Sequence, residues 1–172
     1  MNPLTTLITI LFLSLVSSPG WGEEMKDLVE REGIYYKKFT DVPFTGEVGG
    51  HHEGFFKSGK KDGRWVAYHE SKSENPSRFK VRGPLGLQTN YKNGKKEGAW
   101  VRYYENGQLQ DKGTFKNNQR DGSWVEYWPN GQLLFRGYYK SGIPEGTWVA
   151  FEKNGQVLKS LTGTFKNGTK ID

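Results

Sequence analysis

Residues 98–134 read GAWVRYYENGQLQDKGTFKNNQRDGSWVEYWPNGQLL, and the same grammar returns at 146–155 as GTWVAFEKNG. Trp100, Trp124 and Trp148 are spaced by 24 residues. Gly98, Gly122 and Gly146 each stand two residues before a Trp, and Asn106-Gly107, Asn130-Gly131 and Asn154-Gly155 begin six after it. A second turn pair lies between units: Asn93-Gly94, Asn117-Asn118, Ser141-Gly142 and Asn167-Gly168. A degenerate copy upstream carries Ser58-Gly59, Gly63, Trp65 and Tyr68. A fixed period of this length marks stacked supersecondary units. Asn-Gly between aromatic and β-branched runs marks hairpins, because a type I′ turn needs positive φ at both central residues.

Taking Asn106-Gly107 as that turn sets a register. Tyr104 then faces Leu109, Arg102 faces Asp111 and Trp100 faces Gly113, so that the Trp ring shields a bare backbone. Trp124 faces Gly137 by the same count. In the third unit Trp148 falls opposite Leu161 and Gly163 comes two residues late, the mark of a bulge or a longer loop. Alternation puts Val101 with Tyr103 on one face and Trp100 with Tyr104 on the other. With aromatics on both faces, the expected fold is all-β: an elongated, twisted, single-layer antiparallel sheet of tandem hairpins.

Composition agrees. Six Trp, nine Tyr, ten Phe and 23 Gly in 172 residues suit a turn-dense β-fold, while disordered chains are poor in aromatics. The chain has no Cys, so neither a disulfide nor a lipid-modified cysteine is available. Residues 1–22 read as a signal peptide, with an apolar run Leu7–Val16 and small residues at Gly20 and Gly22. The mature chain is then exported to the periplasm or beyond; an uncleaved inner-membrane anchor is the alternative. Residues 23–90 are expected to form an irregular N-terminal cap and a degenerate repeat with a long loop at 70–89, and residues 91–172 the tandem repeats.

From Tyr91 onward the pattern resembles the MORN repeat, in the variant of bacterial proteins of the YwqK-family antitoxin type. The opening LVEREGIYYKKFTDVPFTGEV, residues 28–48, is similar to the start of those proteins. The resemblance implies an elongated sheet of hairpins, roles in protein contact, scaffolding or membrane-lipid association, and no enzyme activity. The departures are the long loop, Asn118 where Gly is usual, and the late Gly163.

No catalytic, metal or cofactor constellation emerges. His51, His52 and Glu53 alternate in direction along a strand and do not converge on one ion. GFFKSGK at 54–60 lacks the Ser or Thr and the helix of a phosphate-binding loop, and Gly59 fills the repeat's turn position. Asp62, Glu97, Asp121 and Glu145 form one carboxylate per hairpin, read as turn chemistry. The candidate binding column is Trp65, Tyr68, Trp100, Tyr103, Trp124, Tyr127, Trp148 and Phe151. A candidate basic edge comprises Lys60, Lys61, Lys95, Lys96 and Arg120. These features lead first to an exported scaffold that binds an unknown protein through an aromatic groove. The alternatives are a binder of envelope carbohydrate, anionic lipid or envelope polymer, and an immunity-type partner of a toxin. Export disfavours nucleic acid despite a pI near 9.4, and open sheet edges allow self-association.

Overall fold

The computed structural model describes residues 22–71 and 83–172. The signal-peptide reading, and the 72–82 part of the loop, lie outside the described residues. Strands run in chain order: β1 Glu23–Glu24, β2 Leu28–Arg31, β3 Ile34–Lys37, β4 Gly46–Gly49, β5 His52–Lys57, β6 Lys60–Tyr68, β7 Leu85–Lys92 and β8 Lys95–Tyr103. They continue with β9 Leu109–Lys116, β10 Gln119–Arg120, β11 Gly122–Tyr127, β12 Leu133–Lys140, β13 Ile143–Ala150, β14 Gly163–Lys166 and β15 Thr169–Lys170. All but β2 and β3 join one 13-stranded sheet in near-sequential order. Pairing is antiparallel except at the N-terminal edge, where β1 runs parallel to β4. That single pair departs from the expected all-antiparallel sheet. The expected loop at 70–89 also ends earlier: β7 starts at Leu85 and pairs along β6 and β8.

The type I′ geometry falls on the turn pairs between units, not on the Asn-Gly pairs that follow each Trp. Ser58-Gly59, Asn93-Gly94, Asn117-Asn118, Ser141-Gly142 and Asn167-Gly168 have positive φ at both residues, so they are the type I′ turns. At Asn106-Gly107, Asn130-Gly131 and Asn154-Gly155 only the Gly is left-handed. There the loop closes through Gly107 N–H to Tyr104 O and Tyr104 N–H to Gln108 O, a three-residue loop with a glycine bulge. The extra loop residue makes Tyr103, not Tyr104, the partner of Leu109, while Arg102–Asp111 and Trp100–Gly113 pair as expected. Trp148 does pair with Gly163, the two extra residues being taken up in the loop before β14.

The last three of these turns are clamped to the preceding repeat in one way. The first turn residue's N–H donates to a carboxylate: Asn117 to Glu97 (2.9 Å), Ser141 to Asp121 (3.0 Å) and Asn167 to Glu145 (2.8 Å). The second donates to a backbone carbonyl: Asn118 to Lys96, Gly142 to Arg120 and Gly168 to Pro144. Glu97, Asp121 and Glu145 are thus turn chemistry, while Asp62 makes no such bond among the described residues. Asn118 replaces Gly because its Oδ1 also accepts the Lys96 N–H at 2.7 Å. At the opposite edge a polar ring atom reaches a carbonyl of the next unit: His69 to Tyr103, Tyr104 to Tyr127, Trp128 to Phe151. The β2–β3 hairpin caps the first repeats, with Leu28, Val48, Phe56 and Trp65 buried against Tyr35 and Phe44.

Candidate functional site

The Trp65, Trp100, Trp124 and Trp148 side chains lie on one face, where they interleave with the aromatic that precedes each of these type I′ turns. One run is Tyr35–Phe56–Trp65–Tyr91. The other is Trp100–Phe115–Trp124–Tyr139–Trp148–Phe165, with centroids 4.9–6.3 Å apart. Most contacts are edge-to-face, the geometry favoured by ring quadrupoles. Phe56, Tyr91, Phe115, Tyr139 and Phe165 were absent from the candidate column. Their signal was present in the sequence, as a Phe or Tyr two residues before each of the five turn pairs between units.

Burial follows from glycine. A Cβ on Gly54 would overlap the Trp65 ring, one on Gly113 the Trp124 ring, and one on Gly137 the Trp148 ring. Each Trp therefore covers the glycine of the strand before it, not the one after as the hairpin register suggested. These three Trp are 3%, 2% and 7% exposed. Trp100 is only half-buried, because its preceding-strand partner is Thr89. Thr89 is itself buried, and its hydroxyl has no hydrogen-bond partner. Thr89→Val keeps the shape and removes that polar burden, so denaturant unfolding is expected to show a gain of about 1 kcal/mol.

Cations lie over these rings. Lys61 Nζ sits 4.4 Å from the Trp65 centroid, Lys96 Nζ 4.5 Å from Trp100, and the Arg120 guanidinium 4.2 Å from Trp124. Each also reaches the next ring, Tyr91, Phe115 or Tyr139. Loss of solvent lowers the pKa of both lysines. The basic edge therefore divides: Lys61, Lys96 and Arg120 cover the ring ladder, while Lys60 and Lys95 are exposed beside the turns.

Asp111 completes this face. It is fully buried and accepts from Trp100 Nε1 and from the Arg102 guanidinium. Across the strand pair stands Glu126. Loss of solvent, then the Asp111 charge, raises the Glu126 pKa above its ordinary value. The folded state thus favours protonated Glu126. Its contribution is present below the ordinary carboxylate pKa and is lost as pH rises through the raised value. The melting temperature of Glu126→Gln is expected to gain on that of wild type between about pH 4 and about pH 7, which thermal scans at constant salt would show.

The other face is open. Tyr68, Tyr103, Tyr127 and Phe151 belong here, paired with Leu85, Leu109, Leu133 and Val157. The candidate column is thus two columns on opposite faces, since residues three apart on a strand point opposite ways. Beside the ring wall runs an unbroken row across seven strands: Val66, Gln88, Val101, Lys112, Val125, Arg136, Val149. Small residues flank it, with Ala99 paired to Thr114, Ser123 to Tyr138 and Thr147 to Thr164. Together they line an open groove of about 1080 Å³ that includes Tyr127, Leu133 and Tyr138. Among the described residues no group of three or more His, Cys, Asp or Glu side chains could hold a metal ion. GFFKSGK is the end of β5 followed by a type I′ turn.

The family model for the MORN repeat variant matches residues 96–117 and 120–141. These residues are MORN repeats of that variant. The two matches begin at Lys96 and Arg120, the cation positions, and each spans a ladder Trp and the following Phe or Tyr. MORN repeats form repeat-based interaction or membrane-binding modules, and the sheet of hairpins is their all-β architecture. No curated protein matches the chain. Among solved structures, a chain of a GtfA/B complex bound to UDP and GlcNAc is similar at 16% identity and a TM-score of 0.34. The match covers 77% of this chain and 28% of that one, so this chain spans under a third of its length.

Proposed function

We propose that this MORN-repeat protein is an exported, non-enzymatic scaffold that docks a protein partner in the groove opposite the ring ladder. The observation that carries this reading is the division of labour between the faces. The ladder face uses its aromatics, cations and carboxylates to hold the sheet together. The groove face leaves Lys112, Arg136 and Tyr138 exposed around half-buried valines. Apolar centres ringed by polar and aromatic groups are the anatomy of protein interfaces. The apolar run Leu7–Val16 supports export, and no helix among the described residues is long and apolar enough to cross a membrane.

A second reading rests on the turn edge. Lys57, Lys92, Lys116, Lys140 and Lys166 each precede a type I′ turn, and all are exposed, a comb suited to a polyanion or an anionic surface. Capture from the cell envelope separates the two. A protein retained by wild type and lost by Tyr138→Ala/Thr147→Lys supports groove docking. Retention of anionic lipid or glycan alone, lost on replacing Lys92, Lys116 and Lys140 with Ala, supports the edge. Cell fractionation tests export independently.

A further inference from the structure

The central row of the groove has a period. Its apolar residues sit on every second strand, Val66, Val101, Val125 and Val149, and its cations on strands between them, Lys112 and Arg136. Neighbouring strands lie about 4.7–4.9 Å apart, so each kind of contact recurs about every 9.4–9.8 Å along a line across the strands. Neither Lys112 nor Arg136 has an ion pair or a side-chain hydrogen bond among the described residues. The row therefore offers two uncompensated positive charges at a fixed interval, with a valine between and beyond them.

Three backbone conformations can be compared with that interval. A polyproline-II helix turns once in three residues and rises about 3.1 Å per residue, so one side returns every 9.3 Å or so. An α-helix returns one side every seven residues, about 10.5 Å, and drifts by roughly 1 Å per repeat. An extended strand covers a similar distance in three residues, but residues i and i+3 then point opposite ways. Only the polyproline-II form keeps one side on the row over several repeats.

We propose that the groove binds a polyproline-II segment running across the strands, with an acidic residue at every third position. This rests on the groove-docking reading and names its partner's chemistry. Carboxylates at i and i+3 reach Lys112 and Arg136. The two residues between them straddle Val125, about 3.1 and 6.2 Å along the axis against a valine about 4.8 Å from each cation. Tyr127 and Tyr138 line the same groove and supply ring surface of the kind that proline-rich segments pack on.

The test is fluorescence anisotropy with labelled synthetic peptides on residues 22–172. A (Glu-Pro-Pro)5 peptide is expected to bind at least about tenfold more tightly than a peptide of the same composition with its Glu spacing shuffled. It should also exceed a helical peptide carrying Glu every seventh residue. Lys112→Glu/Arg136→Glu, at exposed positions away from the ladder, is expected to weaken it at least about tenfold with circular dichroism unchanged. Equal binding of the shuffled peptide, tighter binding of the helical one, no binding of any, or indifference to the charge reversal overturns the proposal. A tighter helical peptide that is lost in the charge-reversed variant would leave groove docking standing with a different occupant. If no peptide binds and the groove variants also retain the captured envelope protein, groove docking falls as well.

Discussion

Asp111→Ala is expected to destabilise the fold by about 3 kcal/mol, the largest loss for any single polar side chain on the ladder face. The reason is asymmetric. The carboxylate is 0% exposed and takes both the Arg102 guanidinium and the Trp100 indole N–H. Removing it leaves the guanidinium without its partner and the indole donor without its acceptor. The figure sits at the low end for a broken buried pair because the Arg102 side chain is 39% exposed and regains some water. Denaturant unfolding of Asp111→Ala, Arg102→Ala and the double variant would check it. A coupling well below 1 kcal/mol would show that the pair is not the source of the loss.

Gly137→Ala is expected to cost about 2–3 kcal/mol, although it adds only one methyl group. That methyl must occupy the space of the Trp148 indole, which is 7% exposed and wedged between Phe135, Tyr139 and Phe165. The ring has nowhere to retreat without breaking the edge-to-face series. Gly113→Ala should behave alike through Trp124. Gly49→Ala is the control, since nothing lies within 4 Å of its new Cβ. It should change stability by less than about 0.5 kcal/mol. Near-UV circular dichroism would report the loss of indole packing directly, and an unchanged signal in Gly137→Ala would argue against the platform role.

The glycine effect arises where two sheet neighbours, not one hairpin, define an environment. Hairpin arithmetic from Asn106-Gly107 paired Trp100 with Gly113 correctly. It stopped at the hairpin, however, and so assigned the glycine to the wrong Trp. The ring over Gly113 comes from Trp124, on the strand that flanks β9 from the other side. Lys61, Lys96 and Arg120 illustrate the same limit. By sequence they are turn-proximal basic residues, and only the strand stacking brings each over two rings. Tyr103, Tyr127 and Phe151 were legible as a column, but their separation from the Trp column depended on respecting strand alternation through the end of each hairpin.

The sequence by itself determined the repeat, its period, the hairpin pairing and the all-β class. Those follow from local rules: left-handed turn residues, alternation and aromatic spacing act within some two dozen residues. It also marked Glu97, Asp121 and Glu145 as turn chemistry, because each precedes a Gly-x-Trp element in the same place. Only the tertiary structure decided which face is the interior and which is free. In a single-layer sheet neither face is assigned by hydrophobicity, since both carry rings. The assignment came from the glycine platforms, whose bare backbones let the indoles lie flat on one side alone, leaving the valine and cation row open on the other.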